Sequence, residues 1–332
     1  MNTLSILSLN EIPKVGLRII EKVLSTTQIS DLQSPSDLIE ILKKANAKYK
    51  NNNKSYMPDI EEVKVALEKA HNIINCSRLK NIQIISIKDA NYPKYLLQIP
   101  DHPVLLHVLG NADALNRECI AIVGTRKPTD YGFSMAKKLG SLFAKNGYVV
   151  VSGLAEGIDT AAHLGALDAG GLTIAVVAHG LDTIYPQSNK MLADEIIKNK
   201  GAIVSEYPVG TEIKRSYFVK RDRIQSGLSL GVFVVETGKE GGTMHTANFC
   251  KKQNRILIVL QHSASGNMQL MSDNTSKIIF KEDNDAVLVI NAMNSIKKEL
   301  LNRINKESSI HSNKKEKCPA KTINSAQMVL NL

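Results

Sequence analysis

The stretch Cys119–Pro128, C-I-A-I-V-G-T-R-K-P, decides the fold. Five apolar residues run without alternation into a glycine. Such a run suits a strand covered on both faces, as in a parallel sheet. Downstream the pattern repeats. Tyr148–Val151, Thr173–Ala178, Ala202–Val204, Gly231–Val235 and Arg255–Leu260 read as further strands. Helix-period segments alternate with them. Tyr131–Asn146 puts Met135, Leu139, Leu142 and Phe143 on one stripe and stops at Gly147. Asp159–Ala169 closes on Gly170-Gly171, Asn189 can cap a third helix, and Thr243–Asn254 forms a fourth. The β-α-β-α order predicts an α/β fold with an open, doubly wound, mostly parallel sheet. Ligands in such sheets sit at the carboxyl ends of the strands.

The flanks differ. Residues 1–75 read as a small helical N-terminal domain, with Leu4, Leu7, Ile12, Leu17, Ile20, Val23 and Leu24 at helical spacings. I-P-K-V-G-L at 12–17 fits a helix-hairpin-helix turn or a plain corner of a helical bundle. Ala47–Ser55 is a polar loop, and a further helix is expected over Pro58–Asn75. Residues 76–110 combine a β-rich run at 82–87 with prolines and read as a linker packed on the next domain. That domain spans 111–290, ending in an extra strand and short helix over 277–290. Residues 291–332 read as a helix, Ala292–Asn305, and a basic tail expected to be mobile and to add non-specific affinity for polyanions.

Composition narrows the class. The 332 residues are 43% hydrophobic, which excludes wholesale disorder. No run approaches the ~18 apolar residues of a membrane helix. Met1–Asn10 lacks a basic region ahead of an apolar one, so no signal peptide is expected and the cytoplasm is the expected compartment. The four cysteines have no C-x-x-C spacing and read as reduced, mostly buried thiols. The net charge is +10, and residues 291–332 carry half of the excess. A second concentration comprises Lys214, Arg215, Lys220, Arg221 and Arg223, opposed only by Asp222. Such clusters suit a polyanion, although a basic tail can also be just a solvated end.

The strand ends carry the candidate site. After the first strand, Gly124 permits close backbone approach, Thr125 offers a hydroxyl, and Arg126 presents a planar fork of donors suited to phosphate. Lys127 follows, its side chain expected toward solvent ahead of Pro128. Ser152 and Gly153 open the second turn, and Asp159 can cap its helix. The two turns aim two helix N-termini at one crevice, an anion site in principle. Alternatively, the glycines only make tight turns. Lys220 and Arg223 share a face at i, i+3 if 216–226 is helical, leaving Arg221 to pair with Asp222 or Glu236. Gly242 and Thr243 feed the last helix and could grip another phosphate. Aromatic residues make up 5% of the chain and tryptophan is absent, so base stacking is expected to be modest.

Several chemistries are excluded by their missing motifs. No G-x-G-x-x-G follows the first strand, no Walker A Lys-Ser/Thr pair occurs, and no G-x-S-x-G elbow surrounds Ser152 or Ser226. His163, His179 and His245 have no metal-ligand spacing and read as packed or surface histidines. Glu206, Glu236 and Asp182 read as helix caps or as ion-pair partners of the basic run. No catalytic, cofactor or metal residue is expected.

Six ordered motifs resemble the DprA/Smf family, the DNA-processing protein A group of bacteria. They are V-G-T-R-K-P at 123–128, S-G-L-A-E-G-I-D-T-A-A-H at 152–163, and H-G-L-D-T-I-Y-P-Q-S-N at 179–189. S-E-Y-P at 205–208, F-V-K-R-D-R-I-Q-S-G-L-S at 218–229 and E-T-G-K-E-G-G-T-M-H-T-A at 236–247 complete them. The resemblance implies an extended Rossmann-like domain and a dimer that binds single-stranded DNA without hydrolysing it. It implies protection of incoming strands during natural transformation and loading of a RecA-type recombinase. Arg126 and the run Lys220–Arg223 fall on the family's DNA-contacting positions. The implied N-terminal domain is SAM-like or helix-hairpin-helix. Asp222 stands where the family pattern has Asn and Val219 where it has Pro, while Gln261-His262 replaces a Pro-Gly turn. A carboxylate at 222 weakens DNA binding unless Arg221 or Arg223 neutralises it. Residues 291–332 are too short for the winged helix that many members carry, so none is expected. The competing function is a nucleotide sensor, or an enzyme like the nucleotide phosphoribohydrolases of the same broad group, whose P-G-G-x-G-T-x-x-E motif E-G-G-T-M-H-T-A echoes.

Overall fold

The computed structural model describes residues 3–26, 34–47, 57–275 and 277–315. Four helices come first: α1 (Thr3–Glu11), α2 (Leu17–Thr26), α3 (Pro35–Ala47) and α4 (Ile60–Leu79). I-P-K-V-G-L forms the turn between α1 and α2, a geometry common to both readings of that motif. α4 starts where Asp59 accepts from the Glu62 N–H and the Glu62 carboxylate accepts from the Asp59 N–H. This reciprocal cap fixes its start, and the helix runs past the expected Asn75 to Leu79.

One nine-stranded sheet follows. Its strands are β1 (Ile82–Ser86), β2 (Leu105–Gly110), β3 (Cys119–Val123), β4 (Val149–Ser152), β5 (Thr173–Val177), β6 (Ala202–Ser205), β7 (Gly231–Val234), β8 (Ile256–Leu260) and β9 (Ile278–Phe280). The order is β1-β2-β6-β5-β4-β3-β7-β8-β9. From β6 to β9 every pairing is parallel, so the α/β expectation holds. The segment read as a linker does more than pack. It supplies β1 and β2, and β2 pairs antiparallel with β6, His107 opposite Ser205. A short apolar run looks the same in a packed linker as in a strand; only the free edge of β6 makes it one.

The helices cover both faces. They are α5 (Asp130–Lys145), α6 (Ile158–Asp168), α7 (Lys190–Lys198), α8 (Arg215–Leu228), α9 (Gly242–Lys252), α10 (Ser265–Ser272) and α11 (Asp285–Lys315). Ala121 and Val123 of β3 pack with Ile224 of α8 and Ala247 of α9. Ile120 and Ile122 pack oppositely, with Leu139 of α5 and Val289 of α11. Burial of both sets explains the unbroken apolar runs. The short helix and the separate Ala292–Asn305 helix expected near the C-terminus are one element, α11, because no proline or glycine interrupts 285–315. The tail expectation falls on residues 316–332 and on side chains from 307 onward, outside the described residues.

α5 and α6 touch backbone to backbone. A Cβ at Gly165 would overlap the Lys137 carbonyl, and one at Gly140 would overlap that of Ala162. Neither neighbour is a side-chain end that can swing away. Gly165→Ala is therefore expected to cost about 1–3 kcal/mol of stability, read as a lower urea midpoint. A wild-type midpoint would show that the helices can separate freely.

Candidate functional site

β3 lies between β4 and β7, and the chain leaves β3 and β7 toward opposite faces. A crevice must open at their carboxyl ends, where the winding changes direction. A cavity of about 800 Å³ occupies it. Its walls are the turn Gly124–Lys127, the first half of α8 and the turn Gly241–Thr243.

The first wall is stapled at both ends. The Thr125 N–H donates to the Glu236 carbonyl (2.7 Å), and the Ile158 N–H donates to the Thr125 carbonyl (3.2 Å). Gly157, at φ 80°, lets the turn pass so closely that a Cβ would lie 2.7 Å from the Arg126 carbonyl oxygen. The backbone is thereby held while the Arg126 side chain stays exposed. Its guanidinium carbon lies 5.6 Å from the Phe218 ring centroid. Lys127, expected toward solvent, also lines the cavity.

The helix N-termini sort differently from the expectation. At α5, Thr129 caps the Gly132 N–H, and Glu236 accepts from both the Thr129 N–H and its hydroxyl. At α6, Asp159 Oδ2 accepts from the N–H groups of Gly153 and Ala155. Internal carboxylates thus stand beside both termini that the sequence offered to an anion, but the expected Asp159 cap does not form: the Ncap of α6 is Gly157, with no side-chain cap, and Asp159 sits in the first turn and reaches back to the preceding loop. α9 differs. Its Ncap is Gly241, at φ 125°, with no side-chain cap, and its first turn faces the cavity. Uncapped N–H groups and the helix dipole favour an anion there.

The basic run divides as well. Arg215, Phe218, Val219, Asp222 and Gln225 form the stripe of α8 that lines the cavity. Lys220 is exposed and off that stripe. It does share a side of the helix with Arg223, whose Nη1 donates to the Lys220 carbonyl (2.9 Å). Arg223 is buried, bidentate to Glu206 (2.6 and 2.9 Å), and donates through Nε to the Asp101 carbonyl. It is spent on an internal pair and does not line the cavity. Arg221 is also buried. Its Nε lies 3.3 Å from Asp222 Oδ1, and its Nη1 donates to the Val176 carbonyl. Of the candidates Gly124, Thr125, Arg126, Lys127, Ser152, Gly153, Lys220, Arg221, Arg223, Gly242 and Thr243, the structure gathers Gly124–Lys127, Arg221, Gly242 and Thr243 around the cavity. Ser152 is buried and donates to the Ile122 carbonyl within the sheet. Gly153 lines a smaller adjoining cavity of about 100 Å³, with Arg126, Tyr185 and Phe218.

Other expectations resolve singly. Glu206 is an ion-pair partner of the basic run, Glu236 a helix cap, and Asp182 Oδ1 accepts from the Gly210 N–H. His163 is packed against the Thr173 hydroxyl (2.6 Å), and burial lowers its pKa to about 3, leaving it neutral. His179 is buried too, whereas His245 is exposed on the cavity wall.

Reading by composition missed the aromatic wall. Tyr185 and Phe218 meet edge to face, with centroids 6.0 Å apart. Tyr207 and Tyr217 stack at 4.1 Å, with Lys214 over the Tyr217 ring. Few aromatics are present, but Tyr185 and Phe218 stand together on the cavity, while the Tyr207–Tyr217 pair does not line it. The readable signal was Arg215 to Phe218, three residues apart on one helix.

The family model for DNA recombination-mediator protein A matches residues 83–298. Protein Smf of Synechocystis sp. is 40% identical over 61% of this chain and 53% of its own length. The chain thus spans about half of that relative. DNA processing protein DprA of Bacillus subtilis is 35% identical over 67% of this chain and 76% of its own. The X-ray structure of DNA processing protein A from Streptococcus pneumoniae superposes with a TM-score of 0.68 at 30% identity, over 84% of this chain and 95% of that one. The Helicobacter pylori protein, whose structure describes a single-stranded DNA binding mode, gives 0.56 at 30% identity, over 65% and 97%.

Proposed function

The chain belongs to the DNA recombination-mediator protein A family, and on that premise we propose that it binds single-stranded DNA in the crevice at the ends of β3 and β7. One observation carries this reading: exposed cations, an uncapped helix N-terminus and an aromatic edge line the same cavity. Arg126, Lys127 and Arg215 meet phosphates, the N-terminus of α9 receives another, and Phe218 with Tyr185 offers a face to an unstacked base. A duplex keeps its bases stacked and cannot use that face. None of these groups reads base edges, so little sequence preference follows.

The wider role rests on the relatives' names and on the motif resemblance. The strand is handed to a RecA-type recombinase, during natural transformation or other recombination, by a homodimer in the cytoplasm. Two buried free thiols, Cys119 and Cys250, suit a reducing compartment. Among the described residues no helix is long and apolar enough to cross a membrane. No catalytic role is assigned to any residue.

Titration of fluorescent oligo-dT tests the reading. With three cationic phosphate contacts, affinity should fall about twentyfold between 50 and 200 mM salt. A blunt duplex of equal length should bind more weakly at matched salt. Equal duplex affinity, or binding of a nucleoside monophosphate in preference to oligo-dT, would discard it.

A further inference from the structure

Beneath the cavity one guanidinium is ion-paired with one buried carboxylate, Asp222, and acts through its charge on a second, Asp159. Asp222, Asp159 and Arg221 are 4%, 7% and 6% exposed. Arg221 Nη1 donates to the Val176 carbonyl and, with the Gln225 amide oriented to satisfy its neighbours, to the Gln225 oxygen, which then also accepts from the Gly153 N–H. Arg221 Nε lies 3.3 Å from Asp222 Oδ1 as an ion pair without a hydrogen bond. Asp159 Oδ2 holds two backbone N–H groups. Asp222 Oδ2 is buried with no partner, on the side facing Gly242 at the start of α9. If all three groups are ionised, the cluster carries one net negative charge. That charge would lie under a cavity whose walls are built for anions.

We propose that the Asp159–Arg221–Asp222 cluster is a proton-binding site, and that single-stranded DNA binds with uptake of one proton at Asp222. The proposal rests on the DNA reading of the cavity above. A buried, unpartnered carboxylate is stabilised by protonation. Burial, with Asp159 adding to it and Arg221 and Arg126 opposing, pushes the Asp222 carboxyl up to about 7. The charged and titratable groups around it come from four sides. Asp159 lies on α6, Arg221 and Arg215 on α8, Arg126 and Lys127 on the β3–α5 turn, and Glu240 and His245 on the last wall.

The sign follows from linkage. A bound phosphate adds negative charge, which favours the neutral acid and raises its pKa further. Affinity is then highest below the free-protein midpoint. It falls as pH rises, by at most tenfold per pH unit for one proton, and levels off above the midpoint of the complex.

Two measurements on the full chain test this. In the first, carboxyl-carbon NMR of the free protein follows the Asp222 resonance, identified by its loss in Asp222→Asn. A midpoint near neutrality is expected, and one below pH 5 overturns the proposal whatever DNA does. In the second, oligo-dT is titrated between pH 6 and 9. Wild type should lose affinity above neutrality, while Asp222→Asn should bind as tightly as wild type at pH 6 and keep that affinity. His245→Gln should retain the wild-type slope. A flat wild-type profile overturns the coupling but leaves DNA binding standing, as does an unchanged slope in Asp222→Asn. If nothing binds oligo-dT at any pH, the coupling falls together with the DNA reading, and the free-protein midpoint alone decides whether the proton site exists.

Discussion

Arg126→Ala is expected to weaken oligo-dT binding tenfold or more while the protein melts like wild type. The backbone of its turn is held by the Glu236 carbonyl, the Ile158 N–H and the close pass of Gly157, none of which involves the side chain. The guanidinium is exposed and lies over only the Phe218 ring. Truncation opens no core cavity and breaks no hydrogen bond or ion pair among the described residues, only a charge acting on Asp222 from a distance, so stability should stay near wild type. A hydrogen bond to a charged group contributes about 1.5–3 kcal/mol, which is roughly ten- to hundredfold in affinity. Lys220→Ala is the matched comparison. That lysine is also exposed but off the cavity-lining stripe, so its loss should change affinity only by long-range charge, an effect that 200 mM salt largely removes. If the two variants bind alike, the strand does not follow this cavity.

Arg221→Met should do the opposite, lowering stability by about 3–5 kcal/mol, because it leaves Asp159 and Asp222 buried without their cation. Methionine fills much of the same volume, so the loss reports charge more than a void. The Val176 carbonyl and the Gln225 amide oxygen also lose a donor. The penalty should be larger at pH 8 than at pH 6, since protonation of Asp222 at the lower pH relieves part of it. Urea titration at the two pH values measures both effects. A variant as stable as wild type but unable to bind DNA would make Arg221 a phosphate ligand and refute the internal role.

The Lys220 comparison and the Arg221 expectation come from residues of one basic run, which reads in the sequence as one feature. Successive helical residues point about 100° apart, so Arg221 and Asp222 turn away from the side of α8 that Lys220 and Arg223 share. Their chemistry is the same in each direction; their surroundings are not. Lys220 meets solvent, Arg221 and Asp222 meet each other under the cavity, and Arg223 meets Glu206. The carboxylate expected to disturb phosphate binding is indeed paired with Arg221, but beneath the site.

What the sequence determined by itself was local and periodic. The unbroken apolar runs of β3, β5 and β8 marked a sheet buried on both faces, because each residue's burial is written in its own side chain. Gly124 and, two residues on, Arg126 marked the crevice, since a strand end in a doubly wound sheet leaves little other room. Tertiary structure alone decided which helix N-terminus stays open. Thr129 and Glu236 are 107 residues apart, and Arg223 reaches the carbonyl of Asp101, 122 residues away. Pairing at that separation depends on strand order and on which face each crossover takes. Those are set by the packing of the whole sheet, and no window of neighbouring residues contains them.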